Sequence, residues 1–306
     1  MTKSGIQTAL AAAMLMSTAC SSASAEDASW LKKQYAKAKS GDIIEVPAGH
    51  YDLKDWKLNK NITFRGDKKG GTIFHSAEVT DKGVLIPQDG VSLRVENITF
   101  KNIRAWSKNG AGVRHEGQDL IVVNCTFDTT EDGILATGAP DSVITIRDSE
   151  FIDNGFGDGQ SHAIYVVNAS MLDIDGSHFI GTRIGHHVKS LAKETRVTNT
   201  RMEDGFGRSS YAVDASKGGA VTLEGNTIIQ AANADNYSII NYDLTRGGEA
   251  TLLRVVNNEV INHFNGGVFI RNDTRLAPEL ANNSIKSMGK NELRITSRGS
   301  PKPVTP

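Results

Sequence analysis

The chain has 306 residues, 39% of them hydrophobic, and a formal net charge of -1, so it is long enough for one or two domains. Its 34 basic and 35 acidic residues nearly cancel, which argues against a nucleic-acid partner, since that would favour a basic face. Any charged site must therefore be local.

The first 25 residues read as a signal peptide for a secreted or periplasmic protein. Lys3 gives a positive start, Ile6 to Met16 is a short apolar stretch, and Ala23-Ser24-Ala25 offers the small residues needed for cleavage. The apolar run is too short to anchor in a bilayer, and no other segment is long and apolar enough to cross one. A lipoprotein site at Cys20 is the weaker reading, because Ser17 occupies the position where Leu is usual. After cleavage Cys125 is the one cysteine left, so no internal disulfide is available.

Trp30, Leu31, Tyr35 and Ala38 fall at helical spacing, which predicts an amphipathic capping helix over Ser29 to Lys39. Gly41 to Tyr51, with Ile43, Ile44 and Val46, starts the first strand. Beyond it the chain repeats. Asn, Asp or Gly stands three residues before a large apolar residue in Asn61/Phe64, Asn97/Phe100, Asn124/Phe127, Asp148/Phe151, Gly176/Phe179, Asn199/Met202, Gly225/Ile228, Asn257/Val260 and Asn282/Ile285. From Asn97 onward the spacing stays in the twenties to low thirties, the period of a solenoid. Short aliphatic runs (Val91 to Val95, Leu120 to Val123, Val143 to Ile146, Met171 to Ile174, Val221 to Leu223, Leu252 to Val256) recur between these marks as strands.

One such unit cannot bury its own apolar face, but a stack of units can. The expectation is an all-β, right-handed parallel β-helix of about nine coils over residues 26–299. Asn and Asp would turn its corners, and Cys125 would point into the stack. The last residues, 300–306, carry three prolines and no apolar cluster, and are expected to form a disordered tail.

Gly41-Asp42-Ile43-Ile44-Glu45-Val46-Pro47-Ala48-Gly49-His50-Tyr51, followed by Asn61-Ile62-Thr63-Phe64-Arg65-Gly66, resembles the opening of pectate-lyase-like right-handed β-helix proteins. The resemblance covers roughly the whole mature chain. It implies the fold and a carbohydrate-active setting, but that fold hosts lyases, hydrolases, epimerases, esterases and phage tailspikes.

The strands after the long loops suggest where chemistry lies. Aligning Gly133-Ile134-Leu135, Ala163-Ile164-Tyr165, His187-Val188-Lys189, Ala212-Val213-Asp214, Ser238-Ile239-Ile240 and Gly267-Val268-Phe269 turns the middle residue inward. Leu135, Tyr165, Lys189, Asp214, Ile240 and Phe269 then share an outer column, with His187 in a parallel one and His162, His186 and Tyr211 at the strand entrances. The candidate catalytic residues are Lys189, His187, Tyr165, Asp214 and His162; the candidate substrate-binding residues are His186, Tyr211, Arg183, Arg208, Asp243 and Arg246. A polar outer face with a Lys189 to Asp214 ion pair is the competing, purely structural reading.

Tyr, His, Lys and Asp together suit β-elimination on a uronic-acid polymer, which makes an anionic polysaccharide the expected partner. A cation neutralises the carboxylate, a base removes the neighbouring proton, and an acid protonates the leaving oxygen. Lys189 is assigned as neutraliser or base, Tyr165 and His187 as the proton-transfer pair, and Asp214 as the group that orients Lys189. C5-epimerisation shares the first step. A hydrolase with paired carboxylates among Asp132, Asp158, Asp214 and Asp243 is the competing enzyme. The signatures of polygalacturonases, typical pectate lyases and alginate C5-epimerases are absent. A non-catalytic glycan binder using Tyr165, Tyr211, Tyr237, Tyr242 and Phe269 is the third reading. No metal site is assigned; Ca2+ stays open as a cofactor through the scattered Asp153, Asp158, Asp173 and Asp175, which form no obvious oxygen cage.

Overall fold

The computed structural model describes residues 25–155, 161–288, 293–297 and 300–303. Residues 1–24 of the signal segment, with Cys20, and Asp158 lie outside them. No described helix is long and apolar enough to cross a membrane.

The chain winds through three parallel sheets. The first runs from Ile43–Val46 to Glu279–Ala281 and the second from Gly49–Asp52 to Ser284–Ser287, with ten strands each. The third runs from Trp56–Leu58 to Arg294–Ser297 and gains an eleventh strand, Ser300–Pro303. Each strand pairs with the strand one coil before and one coil after, so every strand inside the stack has its backbone groups satisfied on both sides.

Apolar side chains on one face of each strand meet inside the coil. In the second sheet Phe100, Phe127, Phe151 and Phe179 stack face to face with centroids 4.8, 4.8 and 4.6 Å apart. Each such pair adds about 1 kcal/mol beyond the burial of its rings. The turn from first to second sheet is left-handed at Asn97, Asn124, Asp148, Asn199, Asn257 and Asn282 (φ between 48° and 57°), with Gly176 and Gly225 taking the same place. Asn, Asp and Gly are the residues that enter this region at least cost, which is why the repeat is written with them. Asn61 is the exception. Phe64 lies in the first sheet, within Ile62–Gly66, so that pair marks a different corner.

Just inside the corner runs a second ladder. The backbone N–H groups of Cys125, Ser149, Ser177, Thr200 and Asn226 donate to the side chains of Ser149, Ser177, Thr200, Asn226 and Asn258 in turn, at 2.9–3.3 Å. Cys125 heads it, buried, and burial pushes its thiol up to about 12. At that value the thiol is a packing group rather than a nucleophile.

The helix covers Ala25–Lys37, starting and ending earlier than its apolar spacing predicts. Leu31 and Tyr35 are buried against the first coil, and the Tyr35 ring meets Trp56 edge-on at 5.2 Å. It covers the open end of the core. At the other end Ser300–Pro303, the described part of the tail, pairs antiparallel with Arg294–Ser297. Pro301 and Pro303 are two residues apart on this edge strand, where proline is tolerated.

Candidate active site on the outer wall of the third sheet

The turns between the first and second sheets are tight, whereas several connections between the second and third are long. Ile180 to Val188, Glu203 to Val213 and Gln230 to Ser238 all enter the third sheet this way. Strand register sets one residue of each rung above another. Arg114, Leu135, Tyr165, Lys189, Asp214, Asn241 and Arg271 are successive partners across seven rungs. At about 4.8 Å per rung, Tyr165 to Asp214 spans about 10 Å.

The column departs from expectation at its far end. Ile240 pairs with Val213 and Ile270 and is buried, and Phe269 is buried as well. Aligning on the apolar Ile239 slips the strand by one residue, which flips every side chain to the other face. The outward residues are Asn241 and Arg271. Tyr242 is also fully buried and donates to the Gly219 carbonyl at 2.7 Å, so neither Tyr242 nor Phe269 can offer a sugar-stacking face.

Lys189 is the centre of the wall. Its Nζ lies 3.9 Å from Asp214 Oδ2 and 4.9 Å from the middle of the Tyr165 ring. Burial lowers its pKa and Arg246 lowers it further, while Asp214 and Asp132 pull the other way. Asp214 is buried; it accepts from Asn241 Nδ2 at 2.8 Å and from Ser216 Oγ at 3.3 Å, and burial raises its pKa. Burial also raises the pKa of Tyr165, whose phenol stays protonated at neutral pH. Arg246 is exposed, no carboxylate among the described residues pairs with it, and its charge acts on both Tyr165 and Lys189.

Behind this wall His162, His186 and Tyr211 form a stacked ladder, with ring centroids 4.7 and 5.0 Å apart. Asp132 Oδ1 accepts the His162 backbone N–H at 2.7 Å. His162 Nδ1 accepts that of His186, and His186 Nδ1 accepts that of Tyr211, both at 3.1 Å. With Nδ1 accepting, each neutral ring carries its proton on Nε2, and His186 Nε2 lies 3.5 Å from Asp214 Oδ2. Burial holds both histidines neutral, His162 well below the usual range and His186 down to about 3. Asp132 is fully enclosed; burial raises its pKa well above the usual carboxylate range, and its Oδ2 has no protein partner.

His187 does not join the wall. It is buried inside the coil, with Nδ1 2.7 Å from Thr182 Oγ1 and Nε2 3.1 Å from Asp204 Oδ1. The expected placement of His187 in the outer wall is thus not met: the strand begins at Val188, and strand alternation does not extend back to His187. Arg183 and Arg208 are exposed on the loops, 3.6 Å from Asp153 and 3.0 Å from Asp235. Asp243 is buried under the wall, where it accepts from Asn241 at 2.8 Å and from Thr245. Arg114, Asn241 and Arg271 escape the sequence reading, although correct registration of the two isoleucines would expose Asn241 and Arg271; Asp132 enters it only as a hydrolase carboxylate. Of the scattered carboxylates, Asp173 pairs with Arg147 and Arg196, and Asp175 accepts from Thr198 and Asn199. Among the described residues no group of three metal-binding side chains converges.

Residues 82–247 match the family described as a right handed beta helix region. The chain belongs to the right-handed β-helix family. No curated protein matches this β-helix chain significantly. Among solved structures, the PL6 family alginate lyase AlyGC, as an arginine-to-alanine mutant and without that label, matches at 16% and 15% identity. These cover 87% and 85% of the β-helix chain at TM-scores of 0.45 and 0.40. The chain spans 38% of the length of each.

Proposed function

We propose that this β-helix protein is a polysaccharide lyase that cleaves a uronic-acid polymer at the wall around Lys189. The observation that carries the reading is geometric: the half-buried Lys189 amine lies 4.9 Å from the centre of the Tyr165 ring and 3.9 Å from Asp214, where burial and the charge of Arg246 both lower its pKa. Arg246 neutralises the substrate carboxylate. Lys189, as the free amine, takes the proton from the adjacent ring carbon. The electron pair left behind forms a double bond to the next carbon, the glycosidic C–O bond breaks there, and Tyr165 gives its proton to the leaving oxygen. Asp214 orients Lys189, and neutral His186 supports Asp214 without adding charge. Epimerisation would share the first step and return the proton to the opposite face.

The buried position of Asp243 and the enclosure of Asp132 favour an amine base over a two-carboxylate hydrolysis. Incubation with alginate, pectate and glucuronan is expected to generate the ultraviolet absorbance of an unsaturated uronate with at least one of them. Lys189→Ala should abolish it while the melting temperature holds. New reducing ends without that absorbance would refute elimination.

A further inference from the structure

Two loops outside the wall share an unusual construction. In the first, Glu131 is buried and its Oε2 accepts the backbone N–H groups of Ala105 and Gly110, both at 2.8 Å. That clamp closes the loop and leaves Trp106 79% exposed at its tip. In the second, Asp204 is buried and accepts from His187, Ser209 and the Ala231 backbone N–H. Its own carbonyl accepts from Gly207 at 2.7 Å, and the turn displays Phe206 with no burial at all. Single exposed aromatics are ordinary. Two buried carboxylates, each fastening a loop around an aromatic held in water, are not explained by packing. In both loops a cation follows the ring by two positions, Lys108 after Trp106 and Arg208 after Phe206.

Both loops leave the second sheet and enter the third. Their parent strands, Thr99–Lys101 and Arg201–Glu203, are four rungs apart, about 19 Å along the axis. The strand carrying Lys189 lies between their entry points, three rungs beyond Ala111–His115 and one rung before Val213–Ala215.

We propose that Trp106 and Phe206 form a sugar-stacking rim that holds an extended anionic polysaccharide on both sides of Lys189. Each ring takes the apolar face of a pyranose, while Lys108 and Arg208, the latter held by Asp235 at 3.0 Å, lend positive charge beside an anionic chain. The inference rests on the lyase reading for the identity of the polymer. It does not need turnover.

The test is native electrophoresis of the full-length protein in gels cast with alginate, pectate or glucuronan, using Lys189→Ala as the background so that the polymer survives. Retardation by at least one polymer is expected. Adding Trp106→Ala or Phe206→Ala should weaken it roughly three- to tenfold, with the melting temperature unchanged, and Trp106→Phe or Phe206→Tyr should retain it. Absence of retardation by every polymer, or alanine variants that bind like the background protein, would overturn the rim. Retardation that depends on the rings, by a polymer the active protein never cleaves, supports the rim and overturns the lyase reading alone.

Discussion

His115 offers a sharp test of how the interior of the coil treats charge. The residue is fully buried one step along the strand from Arg114; its Nε2 lies 3.3 Å from the Gln118 carbonyl, and its Nδ1 has no partner. Burial lowers its pKa to about 4. A group whose folded pKa lies below its unfolded value supports the fold above the unfolded pKa, and that support is lost as pH falls through the folded one. Near pH 5 the unfolded chain binds a proton here and the folded chain does not, so the native state loses about 2 kcal/mol relative to neutral pH. His115→Leu removes the site, so its contribution is isolated as a difference from the parent protein. The effects of His162 and His186, which have the same sign, and of Asp132, which has the opposite one, are common to both proteins and cancel. Urea unfolding followed by circular dichroism should show the variant gaining about 2 kcal/mol on the parent between about pH 7.5 and about pH 5. Parallel loss of stability in the two proteins would refute a buried, neutral His115.

Asp214→Asn removes the charge that raises the pKa of Lys189, so the acid limb of kcat/KM should move to lower pH. An unmoved limb would dissociate Asp214 from the amine. His187→Ala leaves the buried Asp204 short of a partner and should cost about 2 kcal/mol of stability, read by urea unfolding, while kcat of the folded protein stays the same. A selective loss of kcat would return His187 to the chemistry.

The coil itself is legible because its constraints are local and repeated. Each turn needs a residue that accepts a left-handed backbone, and Asn97, Asn124 and Asp148 announce it at a regular period. The central trio Tyr165, Lys189 and Asp214 is legible for the same reason: one buried aliphatic residue in each strand fixes the register of its neighbours. Where two adjacent residues are both apolar and both buried, as in Ile239 and Ile240, that marker is ambiguous, and Asn241 and Arg271 are lost with it. His187 misleads because a corner breaks the alternation just before Val188. The sequence sets His162, His186 and Tyr211 together at the strand entrances, but not the bonds that tie them, since these depend on side chains accepting backbone N–H groups from the next coil.

Proton abstraction by the Lys189 amine is read most directly by proton NMR of a uronan incubated in heavy water. The parent protein is expected to remove the hydrogen on the ring carbon beside the carboxylate, as either an unsaturated end or a deuterated ring, and Lys189→Ala is expected to leave it in place. Chain cleavage with that hydrogen fully retained would contradict the account.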